Sequence, residues 1–390
     1  MGKTQTGKSR RPSLPALTGL RFFAALAILY RHFGGPSLAA APRPLQLVAS
    51  NGHVAVGLFF LLSGFVLSYS HIDSDIAARG ARKKFWMARL ARIYPAYFTA
   101  FLLAGPLFVG AVAQHHSGFG TLIRAGTGGA LVLTLLQSWI PGLANYWNSP
   151  AWSLSVEAFF YLAFPFLLPF LATLKPRVSL AVGLALWAVA MTPSIIFLAA
   201  AKGSAQAANA NELFPWVTFV QCFPLLRLPE FLIGVLAGVS FARRTDPLSG
   251  GGFLAAGSAL AVLVAMALVP QEMETVSGNG FLAPLFVLLI WNLARSGGLL
   301  GIVLSWRPIL FLGDVSYSVY ILQEPFCRWF QAITGREARF TFYAYVAGLL
   351  ALSVACFLFV EKRGGRWITN TLRRHQQPYR FAAQLAPERT

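Results

Sequence analysis

Hydrophobic and polar positions separate along this chain on a long scale. Apolar runs of about 15 to 26 residues alternate with short pieces that are polar and often basic. Eleven runs read as helices: residues 17–34, 53–70, 93–113, 126–140, 150–171, 178–201, 216–241, 253–270, 279–294, 308–330 and 341–360. About 20 apolar residues in helical form cross the roughly 30 Å of hydrocarbon in a bilayer, so the pattern predicts a polytopic membrane protein. The run at 126–140 is the weakest. It is short, carries Gly126, Gly128 and Gly129, and follows Arg124. Such a piece suits a re-entrant or interfacial segment. The expected fold is therefore all-α, a membrane helix bundle of about ten transmembrane helices plus that one short segment.

Composition agrees with this reading. Of 390 residues, 56% are hydrophobic and only 12% are charged, and the mean hydropathy is +0.60. A soluble protein of this length would lack the polar surface it needs. The net charge of +19 invites a nucleic-acid reading. However, the basic residues fall between apolar runs, as orientation signals do, and need no nucleic-acid partner. Ten spans place both termini on one side. In that arrangement 23 of the 32 Lys and Arg residues lie on the side of the termini and six on the other, while Arg21, Arg227 and Arg328 lie within spans. The positive-inside rule then makes both termini cytoplasmic. The chain divides into a basic N-terminus (1–16), a transmembrane domain (17–361) and a basic tail (362–390). Lys362, Arg363, Arg366, Arg373 and Arg374 of the tail fit a helix resting on anionic lipid. Lys3, Lys8, Arg10 and Arg11 imitate the start of a signal peptide, but Arg21 and Arg31 interrupt its apolar part, so the first span is retained. Cys222, Cys327 and Cys356 show no CxxC spacing and read as small core residues, with no disulfide framework and no metal site.

The candidate chemistry lies in polar residues inside the apolar runs. Arg21 and His32 stand eleven residues apart, about three turns, so on a regular helix they share a face roughly 16 Å apart along the axis. A charge within a bilayer costs from about 3 to over 10 kcal/mol, so an intramembrane Arg marks a site by default. Neutral imidazole can take a proton from a hydroxyl near neutral pH. The alternative is an Arg held by helix carbonyls and a His satisfied in the bundle. In Val56–Phe65, Gly57, Ser63 and Gly64 allow close helix approach, and packing is the simpler reading. The loop from Arg82 to Pro95 carries more charge than topology needs. Arg89 and Arg92 are i and i+3 neighbours that can clamp a phosphate, Arg82 and Lys83 add charge, and Phe85 and Trp86 offer ring surfaces; lipid contact is the alternative. In Trp147–Tyr161, Ser153, Glu157 and Tyr161 share a face with Ser155 apart, and Arg21 or Arg227 is the expected partner of Glu157. Two prolines and the charges Arg227 and Glu230 interrupt the run at 216–241. Broken helices at membrane depth line cavities, although an internal ion pair alone would explain them. Tyr317, Tyr320 and Glu324 stack on one side of the run at 308–330, near Gln323. His53, His71, His115, His116 and His375 are weaker candidates.

In this order the motifs resemble the acyltransferase-3 family of bacterial integral-membrane acyltransferases, which includes sugar O-acetyltransferases. The resemblance covers about residues 13–363. The Arg-x10-His signature falls on Arg21 and His32, and Phe-Phe-x-Leu-Ser-Gly-Phe on Phe59–Phe65. Arg-x-x-Arg-Ile-x-Pro is met by Arg89, Arg92, Ile93 and Pro95, and Trp-Ser-Leu-Ser-x-Glu by Trp152–Glu157. Two departures stand out. Gln323 takes the place of the usual late His, and Glu361-Lys362-Arg363 lacks the usual proline. The resemblance implies a bacterial inner-membrane enzyme that passes an acyl group, most often acetyl, from cytoplasmic acyl-CoA to a hydroxyl of an extracytoplasmic glycan or lipid-linked sugar. It implies His32, Arg21 and Glu157 as catalytic residues and Arg89, Arg92, Arg82 and Lys83 as donor-binding residues. The acceptor would be contacted from Ser153, Ser155, Tyr161, Arg227, Glu230, Tyr317, Tyr320 and Gln323, with no metal required. A transporter or flippase for a lipid or small solute is the alternative, since polar residues on broken helices also describe substrate pathways.

Overall fold

The computed structural model describes residues 11–115, 118–200, 214–244, 252–270, 273–295, 298–335 and 341–371. The basic residues of 1–10 and the tail beyond Thr371 lie outside the described residues, as do the expectations that rest on them. All regular structure in the described residues is helical, and each of the eleven apolar runs carries helix. The protein is an all-α polytopic bundle.

The first helix, α1 (Pro15–Leu29), runs without a break into a π-helical turn at Tyr30–Gly34. An amphipathic α2 (Arg43–Ser50) leads to α3 (Ala55–His71). The long α4 (Arg79–His115) follows, then α5 (Phe119–Leu133), α6 (Trp152–Leu171) and α7 (Pro176–Ala200). Next come α8 (Phe214–Cys222), α9 (Pro224–Ala242), α10 (Gly252–Leu268) and the single turn α11 (Glu274–Val276). The chain ends in α12 (Ala283–Ala294), α13 (Gly298–Leu304), α14 (Arg307–Thr334) and α15 (Phe342–Ala355), the last continuing through a π turn at Cys356–Glu361. Among the described residues, six helices are long and apolar enough to cross a membrane, or up to eight if each of two bent pairs counts as one span. Chain chemistry sets the breaks. Extended Phe223 before Pro224 separates α8 from α9. The junction of α13 and α14 bends by 61°, just before Pro308; Pro is preorganised for a helix start and cannot continue a preceding one.

The segment expected to fall short of a full crossing doubles back. Its helix α5 descends beside α4 as far as Tyr94 and Tyr97, whose hydroxyls donate to the carbonyls of Leu133 (3.1 Å) and Val132 (2.5 Å). The chain then turns at Leu135, held at φ 60°. It returns until Trp147 stacks on Phe101 and Phe108, with ring centroids 4.5 and 4.6 Å apart.

Small residues let the central helices touch. Where α3 crosses α9, a Cβ on Gly64 would lie 2.2 Å from the Phe231 carbonyl oxygen, and one on Gly234 would lie 2.2 Å from that of Leu61. Where α1 meets α14, a Cβ on Gly313 would lie 2.1 Å from the Thr18 carbonyl oxygen. Between lipid-soluble helices such close contact supplies the van der Waals packing that holds a bundle together. Gly64→Ala is expected to destabilise the fold by about 1–3 kcal/mol, the usual cost of overpacking. Gly126→Ala, at a position with open space around it, is expected to be neutral. Apparent melting of the two variants in detergent checks this, and equal melting would refute the packing account.

Candidate functional site

Between α1, α3, α4, α6 and α14 lies a cavity of about 570 Å³. Arg11, Pro12 and Ser13 stand at one end with Tyr69 and Ser70, in the last turn of α3. This chain segment is strapped down. Arg11 donates to both carboxylate oxygens of Asp73 (2.7 and 3.1 Å) and to the Ala242 carbonyl (2.8 Å). The far end is closed by Ser153 and Tyr320, whose hydroxyls are 2.8 Å apart.

Among the described residues, three guanidinium groups line this cavity without a carboxylate bonded to them: Arg21, Arg89 and Arg92. Among the described residues Arg21 makes no hydrogen bond or ion pair, and the charges acting on it are those of Arg92, Glu157 and Asp314. Arg89 lies over the rings of Phe85 (5.7 Å) and Tyr161 (5.9 Å), and its Nε is buried without a partner. Glu157 is the acid of the cavity wall. Ser63 donates to its Oε1 at 3.2 Å and Tyr161 donates to the same oxygen; among the described residues no bond to Oε2 is formed. Ser153, Glu157 and Tyr161 thus share the cavity face of α6, as their spacing predicts. Tyr317 and Tyr320 line it from α14, with the Tyr317 hydroxyl tied to the Ile93 carbonyl (2.7 Å).

His32 does not line this cavity. The π turn from Tyr30 adds a residue to the local repeat, so the phase counted along a regular α-helix from Arg21 does not carry through. His32 remains accessible, with Arg31, Gln323, Glu324 and Glu274 acting on its ring. Its side chain meets that of Gln323, whose buried Oε1 has no well-formed hydrogen bond. Gln323 is three residues along α14 from Tyr320, about 4.5 Å of axial rise beyond that residue. Glu324 completes this end: it accepts from the Ser149 amide (2.6 Å) and from Arg328 (2.5 Å). Glu157 is bonded to Ser63 and Tyr161 rather than to His32.

Other expected residues sit elsewhere. Arg227 is not the partner of Glu157. It is closed in a buried pair with Glu230 (2.7 Å) and donates to the Gly278 carbonyl (2.6 Å) and to Asn279. Both side chains are only 2% exposed, out of reach of a substrate. Ser155 gives its hydroxyl to the Leu135 carbonyl at 2.5 Å, bracing the turn of the re-entrant segment. Arg82 lies 5.0 Å over the Phe166 ring, and neither it nor Lys83 lines the cavity. Phe85 stacks on Phe164 and Trp86 donates to the Tyr161 carbonyl, so both rings are spent on packing. Among the described residues no group of three or more His, Cys, Asp or Glu side chains gathers as a metal site would.

A family model described as an acyltransferase domain matches residues 14–361, which contain all of these groups except the Arg11–Ser13 segment. The chain belongs to this acyltransferase family. It is similar to Acyltransferase MdmB of Streptomyces mycarofaciens, 31% identical over 365 residues that cover 90% of this chain and 89% of that protein. It is also similar to the Putative peptidoglycan O-acetyltransferase YrhL of Bacillus subtilis, 25% identical over 340 residues (80% of this chain, 48% of that protein). O-acetyltransferase OatA of Staphylococcus aureus is 24% identical over 328 residues (80% and 50%). The chain spans about half the length of these last two proteins. No solved structure matches it.

Sequence reasoning missed several residues of this acyltransferase. Ser63 holds Glu157 from 94 positions away. Asn279 completes the shell of Arg227 and is itself bonded to Ser194 (2.6 Å). Arg31 pairs with Glu274 (3.0 Å), where spacing alone offered no link. Removing one member of a buried pair leaves the other charge uncompensated, at about 3–5 kcal/mol. Glu230→Gln in the acyltransferase is therefore expected to reduce folded yield and apparent melting temperature. The measurement is fluorescence-detected size exclusion on a temperature ramp; an unchanged melting point with lost activity would instead make Glu230 part of the site.

Proposed function

We propose that this acyltransferase moves an acyl group, acetyl in the simplest case, from cytoplasmic acyl-CoA to a hydroxyl of an extracytoplasmic glycan or lipid-linked sugar, in a bacterial inner membrane. The observation that carries the proposal is the cavity itself. Among the described residues it gathers Arg21, Arg89 and Arg92 without bonded carboxylates, and Tyr320 at its closed end is three residues along α14 from Gln323, which His32 meets. Unpaired cations in a low-dielectric wall favour negative charge, both that of a donor's anionic end beside Arg92 and that developing on a thioester oxygen within the cavity. The basic end of the cavity belongs to the chain pieces assigned to the cytoplasm, where acyl-CoA is found. His32 lies toward the opposite side, where a glycan is found.

In this reading Arg21, Arg89 and Arg92 hold and position the donor. Ser153, Tyr161, Tyr317 and Tyr320 line the path of its arm, and Glu157 is fixed by Ser63 and Tyr161 to accept a hydrogen bond from it through Oε2. The Gln323 side chain lies against one ring nitrogen of His32. The other takes the proton of the acceptor hydroxyl as its oxygen attacks the thioester carbonyl. The tetrahedral intermediate collapses, the C–S bond breaks, and the thiolate leaves with the proton that His32 held. Gln323, unlike His, cannot relay a proton, so His32 is the base.

Membranes containing the full chain, labelled acetyl-CoA and a glycan extract test the proposal. His32→Ala at matched expression is expected to lower base-labile ester formation by about 10²–10⁴, the usual worth of a general base. Arg21→Gln is expected to raise the donor KM. Normal transfer by His32→Ala would overturn the assignment of the base. Solute or lipid movement without release of free CoA would favour the transporter reading.

A further inference from the structure

A second cleft, about 440 Å³, opens where α4 meets the helix continuing from α15 through residues 356–371. Small residues bring the two helices together. A Cβ on Gly365 would lie 3.0 Å from the Ala91 carbonyl oxygen, and one on Gly364 would lie 3.0 Å from Pro95. The cleft is lined by Arg92, Lys362, Arg366, Thr369 and Asn370. Its one carboxylate, Glu361, is buried and accepts from Ser318. Lys362 rests 4.6 Å from the Phe357 ring, and among the described residues Arg366 spends only Nε, on the Lys362 carbonyl (3.0 Å). The basic residues here do more than mark the side of a membrane, because Arg92 lines both this cleft and the cavity. The two spaces meet at one guanidinium.

We propose that this cleft binds the phosphates of the acyl donor, with the donor's slim neutral arm passing Arg92 into the cavity. The proposal rests on the acyl-CoA reading given above and adds where the nucleotide end sits. All the negative charge of a coenzyme A thioester is at that end. An arginine fork and a lysine point charge are the side chains that recognise phosphates, and Thr369 and Asn370 add neutral hydrogen-bonding groups. The neutral arm matches a cavity walled by Phe59, Phe60 and Tyr317. An anionic lipid headgroup presents the same phosphate chemistry, so the test must separate the two sources.

The experiment uses the full chain in nanodiscs with and without an anionic lipid, with coenzyme A as the probe and calorimetry as the readout. The double variant Lys362→Gln/Arg366→Gln is expected to weaken coenzyme A binding about tenfold or more in both bilayers, a loss equal to about 1.4 kcal/mol. Arg363→Gln, over Phe359 and outside the cleft, is expected to leave binding unchanged. Transfer from acetyl-pantetheine, which lacks the nucleotide, is expected to proceed equally in wild type and double variant, which also shows that the variant is folded. Equal coenzyme A affinity in wild type and double variant would sink the cleft proposal alone. A loss confined to the variant's retention of anionic lipid would reassign the cleft to headgroups. Absence of coenzyme A binding by the wild type would remove the donor reading and the cleft with it.

Discussion

The cost of holding a guanidinium inside an apolar bundle organises this structure. A buried cation must find partners or face a space that can supply them. The acyltransferase uses both solutions. Arg227 is closed off: Glu230, Asn279 and the Gly278 carbonyl surround it, and Phe60 and Trp152 cover it at 5.3 and 5.9 Å. Arg21 is left open, without a hydrogen-bonding partner among the described residues and with its surroundings arranged as a cavity. The first arrangement fixes helices to one another, whereas the second waits for something to bind. The same residue type at similar depth therefore carries two different meanings, and only the neighbours distinguish them.

The two sites are also mechanically linked. Gly57 of α3 lies where any side chain would strike Glu230, with a Cβ 2.6 Å from its Oε1. Seven residues on, Gly64 brings α3 against the backbone of α9, and between them Ser63 turns to hold Glu157. One short helix thus seats the buried ion pair, sets the closest helix crossing and orients the acid of the cavity. The Phe59–Phe65 signature reads in sequence as packing. In the fold it is packing that delivers a serine to a carboxylate.

Much of this was legible beforehand. Long apolar runs gave the helices because only helices satisfy their own backbone in hydrocarbon. Three glycines and a short length marked the segment that doubles back. The shared face of Ser153, Glu157 and Tyr161 followed from the 3.6-residue repeat. What could not be read depends on contacts between distant segments. Whether Arg227 pairs with its i+3 neighbour or with Glu157 depends on how α6 and α9 lie. Whether Ser155 faces a substrate or a carbonyl depends on where Leu135 turns. The relation of Arg21 to His32 escaped for a different reason. Counting turns assumes a regular helix, and a π turn changes the count without leaving a mark in hydropathy.

That turn has a consequence for how the segment can vary. A π turn is geometrically equivalent to one residue inserted into an α-helix. Loss of Tyr30 or Arg31 would therefore be absorbed by reverting to a regular helix, and the chain would still cross the bundle. The reverted helix would change the phase at which His32 leaves α1 and so its position against Gln323, with the hydrophobic contacts of α1 before the turn intact. Residues of α1 can thus be exchanged for others of like size, but their number cannot change. Across descendants of this chain, length in this stretch should drift more slowly than identity.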